Sequence, residues 1–440
     1  MIEFDEVKQH GPATVIERPR ERAVLVGVDR PGQEWTLESS MAELERLAWT
    51  AGADTVAQTT QRLDSPNPRT FVGSGKAEEI ASLCRSFAAD VVIFDDELTP
   101  SQQSNLETVV GKDVKAIDRT ALILDIFALH ATSKEGRLQV RLAQNQYLYP
   151  RLRGMWAHLA SNRMGGGVGS RFGEGESQLE VDRRLIRNRI TSIRRELANV
   201  SKKRDLQRKN RRESGVFKVA LAGYTNAGKS SLLNAITGSE VLSYDKLFAT
   251  LDSTTRQLAL PEGREITLTD TVGFIQKLPT TLVEAFKSTL DEINGADLVL
   301  HVVDASDPNH ERQIDTVNMV LEQIGAEQIG RVEVFNKRDL INEGQHEALS
   351  ARYPHAVFTS TVDRSGIDEL IGRIGLVASA QDELMDVVIP FDRGDLVSLA
   401  HQRCTILNED YTDAGTHLVV RAGGQSAAML RPFVVERADQ

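Results

Sequence analysis

The fold of this chain is decided by one stretch of sequence, Gly223-Tyr224-Thr225-Asn226-Ala227-Gly228-Lys229-Ser230. It fits the pattern G-x-x-x-x-G-K-S and lies between the strand-like run VALAG and the helical run SLLNAITG. Glycines let backbone N–H groups close around phosphate oxygens, and the start of the following helix favours an anion. In such a loop the lysine contacts the β- and γ-phosphates and the hydroxyl coordinates Mg²⁺. A glycine-rich turn without a ligand is the alternative, and the strand–loop–helix context argues against it.

A second motif, Asp270-Thr271-Val272-Gly273, follows the apolar run Ile266–Thr269. We expect the Asp270 carboxylate to hold Mg²⁺ through a water molecule and the Gly273 N–H to meet the γ-phosphate. Because D-x-x-G tetrapeptides are common, the motif is weak by itself. Its position at the end of a strand, 40 residues after Ser230, makes it specific.

A third motif, Asn336-Lys337-Arg338-Asp339, follows the apolar run VEVF. Guanine presents N1–H and N2–H₂ donors that one carboxylate accepts together, whereas adenine does not, so Asp339 selects guanine. Asn336 and Lys337 are expected to brace the loop and cover the base. After the next strand, Ser360 and Thr361 occupy the position from which backbone N–H groups contact the base O6 edge. Three ordered motifs on three strand ends therefore predict GTP with Mg²⁺.

The segment between the first two motifs, Lys246–Arg256, is rich in hydroxyl groups. A hydroxyl here would complete the Mg²⁺ shell only while a γ-phosphate is present, as in a switch segment. We choose Thr250 as this ligand, with Thr254 and Thr255 as competitors. Lys229, Thr250 and Gly273 are then the candidate catalytic residues.

The residue after Gly273 is Phe274, where Ras-like GTPases place a glutamine that orients the attacking water. A phenyl ring cannot do this, so we expect slow intrinsic hydrolysis and completion of the site by a partner or a monovalent cation. Asn226 is the residue that could help to hold K⁺, a hypothesis that equal rates in K⁺ and Na⁺ would contradict. His301, inside the predicted strand Asp297–Val303, is expected to be a core histidine and not a catalyst.

Charge is distributed unevenly along the 440 residues, whose net charge is −11. Residues 131–218 contain 21 Lys and Arg against 8 Asp and Glu, a balance of +13, so the remainder carries −24. A basic segment in an acidic chain indicates a polyanion-binding element, with a solvated arginine-rich helical face as the alternative. Two distant cysteines, no signal-like N-terminus and no long apolar run predict a cytoplasmic chain without a membrane span.

Periodicity predicts an α/β protein in four parts. Residues 1–130 alternate strand and helix patterns (Ala23–Val28, Met41–Trp49, Lys76–Phe87 and Asp90–Asp95), and residues 131–215 form a helical hairpin with a glycine-rich tip. A helix is expected to stop at Pro150, and the second helix carries a seam of Leu179, Ile186, Ile190, Ile193, Leu197 and Val200. Residues 216–380 form a parallel-sheet nucleotide domain and residues 381–440 a small α+β domain with two strands and one helix.

The whole ensemble resembles the HflX family of ribosome-associated GTPases. Beyond the nucleotide motifs, the resemblance rests on three regions. They are Phe71–Glu79, Asp96–Glu107, and a third that comprises the runs Gly166–Ser170, Gly175–Glu180 and Asp182–Arg184. The switch Phe248-Ala249-Thr250-Leu251-Asp252 and the run Asp270–Phe274 are also similar to the family. The resemblance implies a protein, expected to be monomeric, that binds the large ribosomal subunit with its tip against rRNA and uses GTP to dissociate stalled or idle ribosomes. It also implies that Phe248–Asp252 contacts GTP and that the ribosome stimulates hydrolysis.

Two other functions compete with this interpretation. A GTP-dependent RNA-modifying or RNA-remodelling factor would need a second chemical site, and the sequence offers no Cys/His cluster and no clear nucleophile outside residues 216–380. A signalling switch acting on protein partners would leave the basic segment without a use.

Overall fold

The computed structural model describes residues 19–111, 113–162, 180–200, 216–238, 247–248, 251–261, 264–277, 279, 282, 287–380 and 382–435. The chain forms two compact units, Met1–Arg119 and Thr120–Gln440. None of the helices within these described ranges has the length and hydropathy that a membrane crossing needs.

The first unit is a four-stranded parallel sheet with helices between the strands. Its elements are β1 (Glu21–Asp29), α1 (Leu37–Thr50), β2 (Ala53–Arg62), α2 (Ser74–Phe87), β3 (Val91–Phe94), α3 (Pro100–Val110) and β4 (Lys115–Asp118). The next helix, α4 (Arg119–His130), belongs to the second unit from Thr120 onward. The strand order is β2-β1-β3-β4. The predicted strands and helices are confirmed: β1, α1 and α2 are longer than predicted, whereas β3 is shorter than the predicted Asp90–Asp95. The edge strands β2 and β4 were not predicted, because one is largely polar and the other has four residues.

Two helices, α5 (Lys134–Asn162) and α6 (residues 180–200), form the described part of the hairpin. The seam on α6 is confirmed, since its five described members are the least exposed apolar residues of the helix and Ile193 is buried. Arg187 of α6 donates to the Tyr149 hydroxyl of α5 at 2.8 Å. The predicted stop at Pro150 is wrong, because α5 continues through it. Pro150 has no N–H to donate within the helix, and next to it the Arg151 guanidinium donates to the Tyr147 carbonyl at 3.0 Å.

The glycine-rich tip and Leu179 lie outside the described residues.

A six-stranded sheet forms the centre of the second unit, in the order β10-β9-β8-β5-β7-β6. Its elements are β5 (Phe217–Gly223), α7 (Lys229–Thr237), β6 (Thr254–Ala259), β7 (Glu265–Asp270), α8 (Lys287–Asn294), β8 (Leu298–Asp304), α9 (His310–Gln323), β9 (Gly330–Asn336), α10 (Glu343–Arg352), β10 (Val357–Phe358) and α11 (Ile367–Ala380). All pairings are parallel except β6 with β7, so the expectation of a parallel sheet needs one correction. The edge strand β6 is mostly polar and therefore lacks the apolar pattern of its neighbours.

The C-terminal part has a three-stranded antiparallel sheet in the order β11-β13-β12. Its elements are β11 (Glu383–Ile389), α12 (Gly394–Arg403), β12 (Thr405–Thr412), β13 (Gly415–Ala422) and α13 (Gly424–Leu430). The prediction of an α+β appendage is confirmed, but β12 and α13 were missed. Strand β12 is almost wholly exposed and so shows no alternation of apolar residues.

Candidate functional site

The carboxyl ends of β5, β7, β8 and β9 meet at one edge of the central sheet, which is where parallel α/β sheets bind ligands. The predicted phosphate loop joins β5 to α7, the second motif ends β7, and the third ends β9. Three stretches far apart in sequence thus share one edge because the strands that carry them are neighbours or near neighbours.

Two glycines allow the phosphate loop and its neighbours to approach closely. A Cβ on Gly223 would lie 2.2 Å from the Val302 carbonyl oxygen of β8, and a Cβ on Gly273 would lie 2.9 Å from the Lys229 Nζ. Gly273 therefore faces the lysine ammonium directly. Side chains at these positions would push the loop off the sheet or displace the ammonium.

Lys229, at the start of α7, is buried, and its Nζ donates to the carbonyl oxygens of Gly223 at 3.0 Å and Tyr224 at 2.8 Å. Burial lowers the pKa of Lys229 to about 8, against the charge of Asp270, which favours the ammonium. A cation held by loop carbonyls in a dry setting is suited to an anionic ligand, since an anion would satisfy its charge.

Ser230 and Asp270 meet across the same edge, with the Ser230 Oγ donating to Asp270 Oδ2 at 2.6 Å. Asp270 is buried, and the Thr271 hydroxyl next to it donates to the Leu221 carbonyl at 2.6 Å, which fixes the end of β7 against β5. A hydroxyl and a carboxylate oxygen in contact form the hard-oxygen donor pair that Mg²⁺ prefers. Two of the three predicted metal-binding residues, Ser230 and Asp270, are therefore brought together.

Phe274, at the position where Ras-like GTPases have a glutamine, is a core residue. Its N–H donates to the Gly223 carbonyl at 3.1 Å and its carbonyl accepts from the Thr225 N–H at 2.7 Å, a short parallel pairing with the phosphate loop. Its ring is buried in a cluster with Tyr224, Leu290 and Ile293. The side chain at this position thus belongs to the core.

The predicted base-recognition loop is tied to the predicted phosphate loop by Asn336. Its amide nitrogen donates to the Ala227 carbonyl at 3.0 Å, while its amide oxygen accepts from the Thr359 hydroxyl at 3.2 Å. Lys337, in the left-handed region at φ 62°, extends its Nζ to Asp304 Oδ2 at 2.6 Å. The predicted bracing by Asn336 and Lys337 is present. Asp304 was missed, although its position at the carboxyl end of β8 was a usable signal.

Asp339 lies in the short turn Arg338–Leu340 and is exposed. The expectation for Ser360 needs correction, because its N–H donates to the Ser365 carbonyl at 3.0 Å and so closes its own loop. Its hydroxyl accepts from the Val362 N–H at 3.2 Å. Thr361 is partly exposed beside it. Of the two residues predicted to contact the base edge, Thr361 is the one that stays a prediction.

The switch segment departs most from expectation. Ala249 and Thr250 lie outside the described residues, and the competitors Thr254 and Thr255 belong to β6. Asp252, expected at GTP, instead accepts hydrogen bonds from Thr132 and Ser133 at the base of the hairpin. Leu251 and Phe248 are buried, and the Phe248 ring packs on Phe127 at a centroid distance of 4.6 Å. Asp252 is thus engaged by the hairpin base and Phe248 by α4, and periodicity could not reveal either contact.

Comparison with known proteins agrees with this geometry. Three family models match in succession: a GTP-binding GTPase N-terminal region over residues 38–128, a GTP-binding GTPase middle region over 130–211, and a 50S ribosome-binding GTPase over 218–337. GTPase HflX from Caldanaerobacter subterraneus is 43% identical over 96% of this chain and 95% of its own length. The chain belongs to the HflX GTPase family.

Other HflX proteins match over similar lengths. GTPase HflX from Alkalihalophilus pseudofirmus is 49% identical over 92% of this chain and 94% of its own, and that from Escherichia coli is 42% identical over 90% and 92%. This HflX-family chain is a GTPase. The sequence-based expectations of family, fold class and GTP hydrolysis are confirmed.

Proposed function

We propose that this chain binds the large ribosomal subunit and uses GTP to dissociate or rescue stalled or idle ribosomes, with hydrolysis stimulated by the ribosome. The observation that carries the proposal is the arginine-rich outer face of α6, attached to a GTPase core. Arg184, Arg187, Arg189, Arg194 and Arg195 are exposed, whereas the seam residues of the same helix are not. A basic helical face on a chain of net charge −11 suits a phosphate backbone such as rRNA.

The family model over residues 218–337 describes a 50S ribosome-binding GTPase, which supports the same partner. A signalling role would give the exposed arginines no ligand. The tip at residues 163–179, Trp156 and His158 lie outside what the structure describes at side-chain level, and the proposal does not depend on them.

Within the nucleotide site we assign roles by geometry and motif. The loop Gly223–Ser230 would surround the phosphates, Lys229 would neutralise their charge, and the Gly273 N–H would meet the γ-phosphate. Asp339 would accept the guanine N1–H and N2–H₂, and the Thr361 N–H would donate to O6. Asn336, Lys337 and Arg338 would hold this base loop in place.

Mg²⁺ fits the oxygens of Ser230 and Asp270, whose contact at 2.6 Å shows that both point to one place. When bound, the ion would neutralise charge on the phosphate oxygens. Asp270 would hold it through a water molecule, and Thr250 is our candidate for the remaining hydroxyl. The residues themselves orient the phosphate chain and exclude water from the lysine side.

Potassium is a further proposal that rests on Asn226. This residue is exposed in the phosphate loop and has φ 61°, a left-handed conformation that asparagine tolerates better than most residues. If it helps to hold K⁺, replacement of K⁺ by Na⁺ at constant ionic strength should slow turnover in the wild type. Asn226→Ala should turn over at the same lower rate in both salts. Equal wild-type rates in the two salts would contradict this proposal.

Cosedimentation of the full chain with purified ribosomal subunits and a non-hydrolysable GTP analogue tests the main proposal. We expect binding to the large subunit that weakens steeply with salt, and GTP turnover that rises by orders of magnitude when large subunits are added. The double variant Arg184→Glu/Arg194→Glu should lose both effects and keep its affinity for GDP. The matched control Arg85→Glu/Arg312→Glu, on exposed arginines elsewhere, should behave as the wild type. Unchanged turnover with wild-type protein and large subunits would refute the proposal.

A further inference from the structure

Asp252 connects the nucleotide edge of the sheet to the base of the hairpin. It lies two residues before β6, and Thr254 of that strand is opposite Asp270 in the antiparallel register. Its Oδ2 accepts from the Thr132 N–H and hydroxyl, each at 2.8 Å, and from the Ser133 N–H at 2.6 Å. Its Oδ1 accepts from the Ser133 hydroxyl at 2.5 Å. Four donors from two adjacent residues fix both oxygens of this carboxylate.

The first turn of α5 is shaped to receive that carboxylate. A Cβ on Gly136 would lie 2.3 Å from Asp252 Oδ1, so only glycine leaves room for the oxygen. The Ser133 hydroxyl accepts from the Gly136 N–H at 2.8 Å while it donates to Asp252. One hydroxyl therefore caps the helix and holds the switch residue, and the helix N-terminus favours the negative charge.

Ionisation of Asp252 agrees with this geometry. Burial by itself would raise the pKa of Asp252, but the hydrogen bonds from Ser133 and Thr132 outweigh it and hold the pKa below its ordinary value. The carboxylate is therefore charged at neutral pH, where charge-assisted hydrogen bonds are the strong ones.

A second contact fixes the same segment four residues upstream. The Phe248 ring meets the Phe127 ring of α4 edge to face, at a centroid distance of 4.6 Å and an interplanar angle of 80°. Phe248 is buried and has φ 58°, a left-handed conformation that a bulky residue adopts only when its surroundings impose it. The switch is thus attached at both Phe248 and Asp252 to elements outside the nucleotide domain.

We propose that Thr132 and Ser133 are positioning residues of the GTPase site, acting through Asp252. They hold the end of the switch against α5, and so fix the start of β6, which pairs with the strand that ends at Asp270. Neither residue belongs to a predicted nucleotide-binding motif. The proposal concerns turnover by the isolated protein, so it stands or falls independently of the ribosomal partner.

Two substitutions open this contact while they spare the helix. Gly136→Ala places a methyl group where Asp252 Oδ1 lies, yet alanine favours a helix more than glycine does. Ser133→Asp keeps a good helix cap but sets one carboxylate against another. The matched controls are Gly372→Ala, in a helix position where a Cβ meets nothing within 4 Å, and Thr99→Asp, at the cap of α3.

The measurements are kcat at saturating GTP, Kd for GDP, and hydrogen exchange of the first turns of α5 with GDP or a GTP analogue. We expect Gly136→Ala and Ser133→Asp to lower kcat about tenfold or more, as displaced reacting groups do, with Kd for GDP changed less than about twofold. The nucleotide dependence of exchange in α5 should disappear in both variants. Both controls should match the wild type.

An unchanged or increased kcat in Gly136→Ala and Ser133→Asp would overturn the proposal. A loss of kcat matched by an equal loss of GDP affinity would also overturn it, because that result indicates general damage to the site and not positioning of the switch.

Discussion

The Phe274 N–H donates a hydrogen bond to the Gly223 carbonyl oxygen at 3.1 Å, and this contact turns the Phe274 ring into the core. A glutamine placed there would be buried and could not orient attacking water. We expect Phe274→Gln to leave turnover slow and to lower the free energy of unfolding by about 2–4 kcal/mol, through lost packing and a buried amide.

Urea unfolding and single-turnover GTP hydrolysis check this expectation. Phe87→Gln is the control, because Phe87 is 39% exposed and its replacement should cost much less. A large gain in intrinsic turnover by Phe274→Gln would show that this side chain can reach the γ-phosphate.

From the lowered pKa of Lys229 we predict that the protein takes up a proton when it binds a nucleotide. Its pKa is lowered to about 8 by burial, and a phosphate beside the ammonium would raise it again. Near pH 8.5 the free protein is therefore partly deprotonated and the complex protonated, whereas near pH 6.5 both are protonated. Calorimetric titration with GDP in buffers of different ionisation enthalpy should show uptake at the higher pH and none at the lower. Absence of uptake at the higher pH would contradict the assignment.

Asp339 predicts a change of base preference. In Asp339→Asn the amide NH₂ replaces an acceptor with a donor, which opposes guanine N2–H₂ and suits the O2 of xanthine. We expect GTP affinity to fall about a hundredfold or more and XTP to become the preferred nucleotide. Competition binding against labelled GDP and XDP measures this, with Asp315→Asn on an exposed helix face as the control. Retained GTP preference would remove Asp339 from the base site.

From the lowered pKa of His301 we predict that the free energy of unfolding falls at acidic pH. Burial, with the nearby charges of Arg331 and Lys229, lowers the pKa of His301 to about 4, below the ordinary value of 6.5. Between these values the unfolded chain binds the extra proton, so stability is full above pH 6.5 and falls as pH drops toward 4. The loss from this group is about 1.4 kcal/mol per pH unit in that window. Chemical denaturation from pH 7 to 4.5 should show a shallower decline in His301→Gln, and parallel curves would contradict the shift.

The elements in which apolar residues recur at strand or helix spacing could be predicted from the sequence. Strands β5 and β8 are mostly apolar, and β7 and β9 carry apolar residues at buried positions, because all four lie inside a sheet. The ends of these strands bring the three predicted nucleotide motifs to one edge, as the sequence predicted. The seam on α6 was likewise visible, because positions such as Ile186 and Ile193 repeat at the spacing of a helix face.

The elements without a regular pattern of apolar residues could not be predicted. Strands β2, β6 and β12 are edge strands with largely polar sequence, and they form because a neighbour offers hydrogen bonds. Pro150 was expected to end its helix on local grounds, but the helix continues through it. The contact of Asp252 with Ser133 joins residues 119 apart, and no local pattern encodes which donor a carboxylate finds at that distance.

The hydrogen bond from Asn336 to the Ala227 carbonyl fixes the distance between the two loops to which we assign the base and the phosphates of one nucleotide. A Cβ on Gly228 would lie 2.2 Å from the same Asn336 nitrogen, so the two loops are in close contact. If the base of a nucleotide binds at Asp339, as we propose, its phosphates are held at high effective concentration near Lys229. Guanosine and pyrophosphate added as separate molecules would lack this advantage, so much of a nucleotide's affinity would come from the covalent link between its two ends.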